Sequence, residues 1–359
     1  MKEKPLPPEL LKPIQPAPAR PKGDGIHLGG DCYWDPMTLP NPHVVVIGAS
    51  GSGKTQTLKA LAYEIPRRYP NCQIVIVDFH GDQEIPGETC YPLHMSSPYG
   101  INPLLVNLDP SGGGPALQAI QVAHSLRKLQ IGANQEGMLI RIFKRIYADR
   151  GITQEQPESW TNKPPNFRDL EKELESLSED NDDKEAAKLL IKLAATFQYG
   201  IFSRPQIPLE APVIRIDLSK LPPALQSISA ESLANQMMNQ HRLYGESQLR
   251  TVLFVDEAKE MRGSNALDRV IADGRKYGLG LVLASQSERH LSKDVIGNSA
   301  TKIVLPVDQT EVKSVAKKFR FAEERIAALT PFKALVRLGK EAEVTEIYPY
   351  YKRIENNAA

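Results

Sequence analysis

The chain has 359 residues, 41% of them hydrophobic, enough to bury one large core or two modest ones. Its 44 Lys and Arg against 43 Asp and Glu give a formal net charge of +1, which removes the bulk electrostatic case for a protein that coats polyanions and leaves only a local basic surface. Cys32, Cys72 and Cys90 are odd in number and lack CxxC spacing, which fits a reducing cytoplasm; no apolar run approaches the ~18 residues of a bilayer span, so neither membrane insertion nor secretion is expected.

In chain order, residues 1–22 hold seven prolines, and the segment 1–24 is expected to be a flexible arm. Gly25 to Pro42 alternates short apolar pieces with Gly, Asp and Pro and suits a hairpin or a short extended lead-in. From His43 the pattern reads strand (His43 to Ile47), Gly-rich turn, helix (about Lys54 to Glu64) and strand (Ile74 to Asp78). β-Branched strands separated by helices predict an α/β fold with a mainly parallel sheet covered by helices on both faces.

Gly48-Ala-Ser-Gly-Ser-Gly53-Lys54-Thr55 fits the phosphate-loop pattern GxxxxGKS/T directly after a strand and directly before a helix. The glycines let successive N–H groups turn toward a phosphate, and the helix N-terminus adds positive potential. Gly48, Ala49, Ser50, Gly51, Ser52, Gly53, Lys54, Thr55 and Gln56 are therefore the candidate nucleotide-binding residues, with Lys54 reaching the β and γ phosphates of ATP and the Thr55 hydroxyl offered to Mg²⁺. The strand that ends at Asp78 runs into Phe79-His80-Gly81-Asp82, at the same sheet edge. Asp78, His80 and Asp82 either line the nucleotide site or form a turn with Asx-type hydrogen bonds.

Residues 109–206 change to helical period, with faces formed by Leu139, Ile142, Phe143 and Ile146, by Phe167, Leu170, Leu174 and Leu177, and by Ala186, Leu189, Leu190, Leu193, Ala194 and Phe197. This region is expected as a helical insertion between the two halves of the core, residues 25–108 and 207–359. The acidic run from Ser178 to Asp183 is expected as a solvated turn.

Further strands are predicted at Val213 to Asp217, Thr251 to Asp256, Gly280 to Ser285 and Lys302 to Val307. The apolar strand ending in Asp256-Glu257 supplies what a phosphate loop lacks: Asp256 to hold Mg²⁺ beside Thr55, and Glu257 to orient and deprotonate the attacking water. Gln286, closing the next strand, can report on the γ-phosphate or the water, or merely cap the strand. No arginine in the motifs adjoining the loop is obviously placed to reach the γ-phosphate. Arg275, after a helix that begins near Ser264, is the candidate to supply charge across a subunit boundary; the alternative is a cation satisfying its own helix carbonyls.

These motifs, in this order, resemble the HerA/FtsK-like division of additional-strand P-loop ATPases, with conjugation and type IV secretion ATPases and the DptH-like proteins of phosphorothioation defence. The resemblance runs through Asn41-Pro42-His43, the phosphate loop, Asp78 to Asp82, Tyr99 to Pro103, Asp256-Glu257-Ala258, Gly274 to Gly278 and Ser285-Gln286, and covers about residues 25 to 350. It implies a RecA-like core and a homo-oligomeric ring, usually a hexamer, with ATP at subunit interfaces and DNA or polypeptide handled at the centre. It also implies that Asp256 and Glu257 are the Walker acids, Arg275 the trans-acting arginine and Gln286 the polar sensor. The sizeable N-terminal β-barrel of HerA and the membrane spans of FtsK have no counterpart in this sequence, so a shortened member or the motor part of something larger is expected.

The function this predicts is a ring ATPase that translocates or remodels DNA in a helicase-like manner, in a defence or conjugation setting. The alternatives are a secretion-type ATPase energising a protein machine, and a nucleotide-gated module that recruits a nuclease. Basic candidates for DNA contact are the Lys259 to Ser264 segment and, in the helical region, Arg127, Lys128, Lys144 and Arg145.

Overall fold

In the computed structural model, which describes residues 25–180 and 183–358 without the side chains of residues 180, 357 and 358, the β-branched runs assemble into one nine-stranded sheet. The proline-rich arm expected over residues 1–24 and part of the acidic run after Ser178 lie outside the described residues.

The chain opens with a hairpin of β1 (Ile26–Gly29) and β2 (Cys32–Trp34), as the Gly25 to Pro42 pattern suggested. It continues through β3 (Val44–Ile47), α1 (Lys54–Arg68), β4 (Gln73–Asp78) and β5 (Thr89–Pro92). Four helices follow: α2 (Pro115–Ser125), α3 (Ala133–Asp149), α4 (Phe167–Asp180) and α5 (Lys184–Tyr199). The second half runs β6 (Val213–Asp217), α6 (Pro223–Tyr244), β7 (Thr251–Val255), α7 (Ala266–Asp273), β8 (Leu279–Ser285), α8 (Lys293–Asn298) and β9 (Thr301–Val304). It closes with α9 (Val312–Phe319), α10 (Glu323–Ala327), β10 (Lys333–Leu338), β11 (Glu341–Glu346) and α11 (Tyr350–Ala358).

The sheet order is β11-β10-β9-β3-β8-β7-β4-β6-β5. Strands β9 through β5 are parallel, and the β10–β11 hairpin adds antiparallel strands beside β9. Side-chain alternation builds a core on each face. Val44, Val46, Ile74, Ile76, Val252 and Phe254 pack with α1, the β1–β2 hairpin and Tyr350 of α11. Val45, Ile47, Val75, Val77, Leu253 and Val255 pack with α2 to α7. The apolar faces of the helical region belong to this second cluster, so the helices expected as an insertion share their core with the sheet. Asp183, at the end of the acidic run, caps α5 by accepting from the N–H groups of Glu185 (2.9 Å) and Ala186 (3.2 Å).

The structure extends or trims several expected elements. Helix α1 continues past Glu64 through Pro66 because Ile65 is fully buried. Strand β9 stops at Val304 instead of Val307: Pro306 has no N–H for a ladder, and its carbonyl instead accepts from Ala49 N at 2.7 Å, steadying the phosphate loop. Strands β5, β10 and β11 and helix α6 were not expected from the pattern. Helix α6 is buried on several sides, with Ser227, Ile228, Ala230, Leu233, Ala234 and Met238 all inside, so no single apolar stripe marks it.

Candidate nucleotide site

Parallel strands bring their C-terminal ends to one sheet edge, where ligands gather in open α/β sheets. Here that edge collects the loop after β3, Asp78 and the turn after β4, Asp256-Glu257 after β7, and Gln286 after β8. Gly48 N donates to Ser285 O at 3.2 Å, tying the loop to its neighbouring strand. Gly51 and Gly53 have φ of 74° and 110°, conformations that side chains resist. A Cβ at Gly48 would meet Ser52 Oγ at 2.4 Å, so the loop closes on itself only because that position is glycine.

Lys54, the first residue of α1, donates from Nζ to Gly48 O (2.7 Å) and Ala49 O (2.9 Å). Burial lowers its pKa, and the Glu257 carboxylate opposes that shift, so the two charges face one another across the site. A cleft of about 350 Å³ joins them, lined also by Ser50, Thr55, Gln56, His80, Asp82, Asp256, Gln286 and Phe332.

Asp256 is buried, with Oδ1 accepting from Phe79 N at 3.3 Å and Oδ2 buried without a hydrogen-bond partner. Burial holds its pKa well above the usual carboxylate range, and the nearby Asp78, Asp82 and Glu257 push the same way. An orphaned buried carboxylate oxygen of this kind fits a cation. Asp78, Asp82 and Asp256 each offer an oxygen within 4.8 Å of the others. Asp78, however, is already engaged: Oδ1 accepts from the N–H groups of His80 (3.1 Å), Gly81 (2.7 Å) and Asp82 (3.3 Å), and Oδ2 from Gln83 N (3.0 Å). Of the two readings left open for this turn, Asp78 takes the Asx-type one, whereas His80 and Asp82 line the cleft. Thr55, half-buried, lines the same cleft as Asp256, the residue expected to hold Mg²⁺ with it.

Glu257 is buried at the mouth of the turn formed by residues 258–261, and its carboxylate accepts from Lys259 N at 3.4 Å. Gln286 is exposed in the cleft, and the strand-end cap imagined for it is made by Ser285 and Ser287, whose side chains close the turn. Arg275 sits in the Gly274–Tyr277 turn that leads into β8, at the opposite edge of the sheet from the loop. It is exposed, and among the described residues its guanidinium forms no hydrogen bond or ion pair, which sets aside the carbonyl-satisfying alternative. The chain thus brings together every candidate of the site except Arg275.

Two features of this edge had no sequence signal. Arg215 of β6 is buried beside Asp78 Oδ2 (3.1 Å) and Glu88 Oε1 (2.7 Å), with Asp217 at 3.9 Å, and so neutralises the carboxylates under the turn after β4. Phe332 stands beside the phosphate loop, its N–H donating to Ser52 O at 3.1 Å. A second cleft of about 370 Å³ opens near the starts of β4 and β7, but it has no phosphate-binding loop, and both ring nitrogens of its His241 are engaged by Tyr277 O and Thr251 Oγ1.

Strand β8 between the phosphate-loop strand β3 and the Asp256 strand β7, with these residues at the strand ends, defines the RecA-like P-loop fold of the additional-strand type. The comparisons narrow that class. Residues 31–104 match the family model described as the central domain of helicase HerA. The DNA import protein CedB of Sulfolobus acidocaldarius is 23% identical over 297 residues, covering 74% of this chain and 44% of CedB, so the chain spans less than half the length of that curated relative. VirB4 of Thermoanaerobacter pseudethanolicus superposes with a TM-score of 0.74 at 19% identity, over 90% of this chain and 96% of that one. The bacterial conjugative coupling protein TrwB does so with a TM-score of 0.62 at 20% identity, over 90% and 89%. In sequence the chain resembles HerA over residues 31–104, and in fold it resembles VirB4 and TrwB. No helix among the described residues is long and apolar enough to cross a membrane.

Proposed function

We propose that the chain hydrolyses ATP and uses the energy to translocate DNA through a homo-oligomeric ring, six subunits being the expected number. The observation that carries the ATPase reading is the orphaned, buried Asp256 carboxylate beside Glu257, facing Lys54 across one cleft. Loop N–H groups, the α1 N-terminus and Lys54 bind the β and γ phosphates. Thr55 and Asp256 would hold Mg²⁺, which when bound neutralises phosphate charge; TrwB has been solved with ADP and Mg²⁺. Glu257 orients the attacking water and takes its proton, and Gln286 donates to the γ-phosphate or accepts from that water. Arg275, remote from its own loop, serves the loop of an adjacent subunit.

DNA as the substrate is supported by the kinship with a DNA import protein and by the distribution of free cations. In the helical region Lys128 pairs with Glu231 (2.5 Å), Arg145 with Glu173 (2.6 Å) and Arg127 with Glu136 (3.8 Å), whereas Lys144 is exposed and has no ion-pair partner among the described residues. Lys259 and Arg262, in the segment directly after Glu257, are exposed and have no ion-pair partner among the described residues. Their position links a DNA contact to the hydrolytic residue by a few bonds of backbone.

The test is steady-state ATP hydrolysis with and without duplex and single-stranded DNA, alongside the mass of the assembly. DNA stimulation that shrinks in Lys259→Ala/Arg262→Ala and weakens with salt supports the proposal. Hydrolysis indifferent to both DNA forms overturns it in favour of a protein-machine energiser. A Glu257→Gln protein that still supports the biological output favours a nucleotide-gated module recruiting a nuclease.

A further inference from the structure

Asp256, Glu257 and Gln286 follow β7 and β8, on one side of the phosphate-loop strand β3. A triphosphate seated in the loop with its γ-phosphate toward Glu257 therefore sends its sugar and base to the other side, where β9 and β10 lie. On that side, at the start of β10, stands Phe332, which lines the same cleft as the loop.

Phe332 is built in an unusual way. Its φ is 66°, a left-handed conformation that a bulky side chain adopts only when its surroundings enforce it. Two backbone hydrogen bonds do so: Phe332 N donates to Ser52 O of the loop at 3.1 Å, and Ile347 N donates to Phe332 O at 2.8 Å. The ring reaches over Gly53, where an added Cβ would meet Phe332 Cδ1 at 3.0 Å. Tyr351 lies edge-on to it, with ring centroids 6.5 Å apart and planes at 82°, and Tyr351 N donates to Gln56 Oε1 at 3.3 Å. Neither ring belongs to the two hydrophobic clusters that hold the fold, Phe332 is half-buried, and Tyr351 is 45% exposed. Strain is thus spent on holding an aromatic pair beside the loop and outside the core.

We propose that Phe332, supported by Tyr351, is the platform on which the base of the bound nucleoside triphosphate stacks. This deepens the phosphate-loop reading and rests on it. Every nucleobase presents a π-face, so such a platform adds affinity for a nucleotide over bare polyphosphate while discriminating weakly between bases. Because Phe332 N is bonded to Ser52 O, the platform is also held in register with the loop that grips the phosphates.

The experiment is titration calorimetry of the full chain with Mg²⁺ and, in separate cells, ATP, GTP and inorganic tripolyphosphate, which carries the phosphates without a base. The wild-type protein is expected to bind both nucleotides more tightly than tripolyphosphate. Phe332→Ala and Phe332→Leu should weaken ATP and GTP by about tenfold or more and leave tripolyphosphate unchanged, with Phe332→Trp retaining nucleotide affinity. Unchanged tripolyphosphate binding also shows that the variants are folded at the loop. Equal losses for nucleotide and tripolyphosphate would make Phe332 a prop for the loop and overturn the proposal, as would unchanged nucleotide affinity. A wild-type protein that binds neither ligand overturns the phosphate-loop reading and this inference with it.

Discussion

Lys54 donates its ammonium protons to the carbonyl oxygen of Gly48, 2.7 Å away, so the cation proposed to bind phosphate is held by its own loop. Binding a triphosphate exchanges or shares these bonds, and the charge of Lys54 decides the outcome. Lys54→Ala should therefore lose tight ATP binding, by about tenfold to a hundredfold for one charge-assisted hydrogen bond. Glu257→Gln should keep binding and lose hydrolysis by ~10²-fold or more, because the role proposed for Glu257 acts on the attacking water and not on the nucleotide. Equilibrium binding and phosphate release measured on the two variants separate the roles; normal turnover in Glu257→Gln would remove the base assignment.

Asp256→Asn should make the protein without nucleotide more stable while abolishing its Mg²⁺-dependent hydrolysis. A carboxyl whose pKa is raised on folding resists losing its proton, so stability falls as pH climbs above the ordinary carboxylate value near 3.8 and through the raised native one. Replacing the orphaned Oδ2 with an amide removes that penalty and supplies a donor toward the neighbouring carboxylates. The gain is on the order of 1 kcal/mol, read as a higher melting temperature at neutral pH. A lower melting temperature would show that the negative charge is compensated in the folded protein.

His43 sets an acid limit. Its ring is fully buried, Nδ1 accepts from Leu281 N at 3.2 Å and Nε2 has no partner; burial, then the Arg275 guanidinium, lowers its pKa from 6.5 to about 4. Between these values the unfolded chain takes up a proton that the native one refuses, so stability is complete above pH 6.5 and falls by about 3 kcal/mol as pH drops toward 4. His241, lowered by burial in the same direction, adds to the slope. Denaturant unfolding at pH 7 and pH 4.5 should show a smaller difference for His43→Gln than for the wild type; an equal difference would assign the acid limit elsewhere.

Arg215→Leu should destabilise the fold by about 3–5 kcal/mol, since it strands Asp78 and Glu88 as buried charges with no counter-ion. Adding Glu88→Gln to it should restore part of the loss. If the double variant is no more stable than the single one in denaturant unfolding, the pairing is not what Arg215 supplies.

The parts of the site legible in the sequence are those whose chemistry is contiguous in the chain. Gly48 to Thr55 carries the whole phosphate-loop pattern in a single turn flanked by a buried strand and a helix, and Asp256-Glu257 ends a strand whose every residue is apolar or Thr. Arg215 was not legible because its partners are more than a hundred residues away and meet it only through sheet pairing, Asp78 by way of β4–β6 and Glu88 by way of β5–β6. Phe332 was not legible because its position depends on a positive φ and a hydrogen bond to Ser52, neither of which the run Thr330-Pro331-Phe332 announces. Strand β11 was missed for a related reason: Glu341 to Glu346 is an exposed edge strand, with Thr345 its one buried residue, so apolar alternation is absent.

The most direct measurement on the proposal that neighbouring subunits share the active site is ATP hydrolysis in mixtures of Lys54→Ala and Arg275→Ala proteins. Each alone should be slow, the first for want of phosphate binding and the second for want of the arginine, whose loss costs ~10³-fold or more where such a residue acts across an interface. Mixed assemblies contain some interfaces that join an intact phosphate loop to an intact arginine, so the account predicts partial recovery that rises and falls with the mixing ratio. Mixed assemblies that form, as verified by mass, and yet recover no hydrolysis would contradict it and return Arg275 to a local role in the turn before β8.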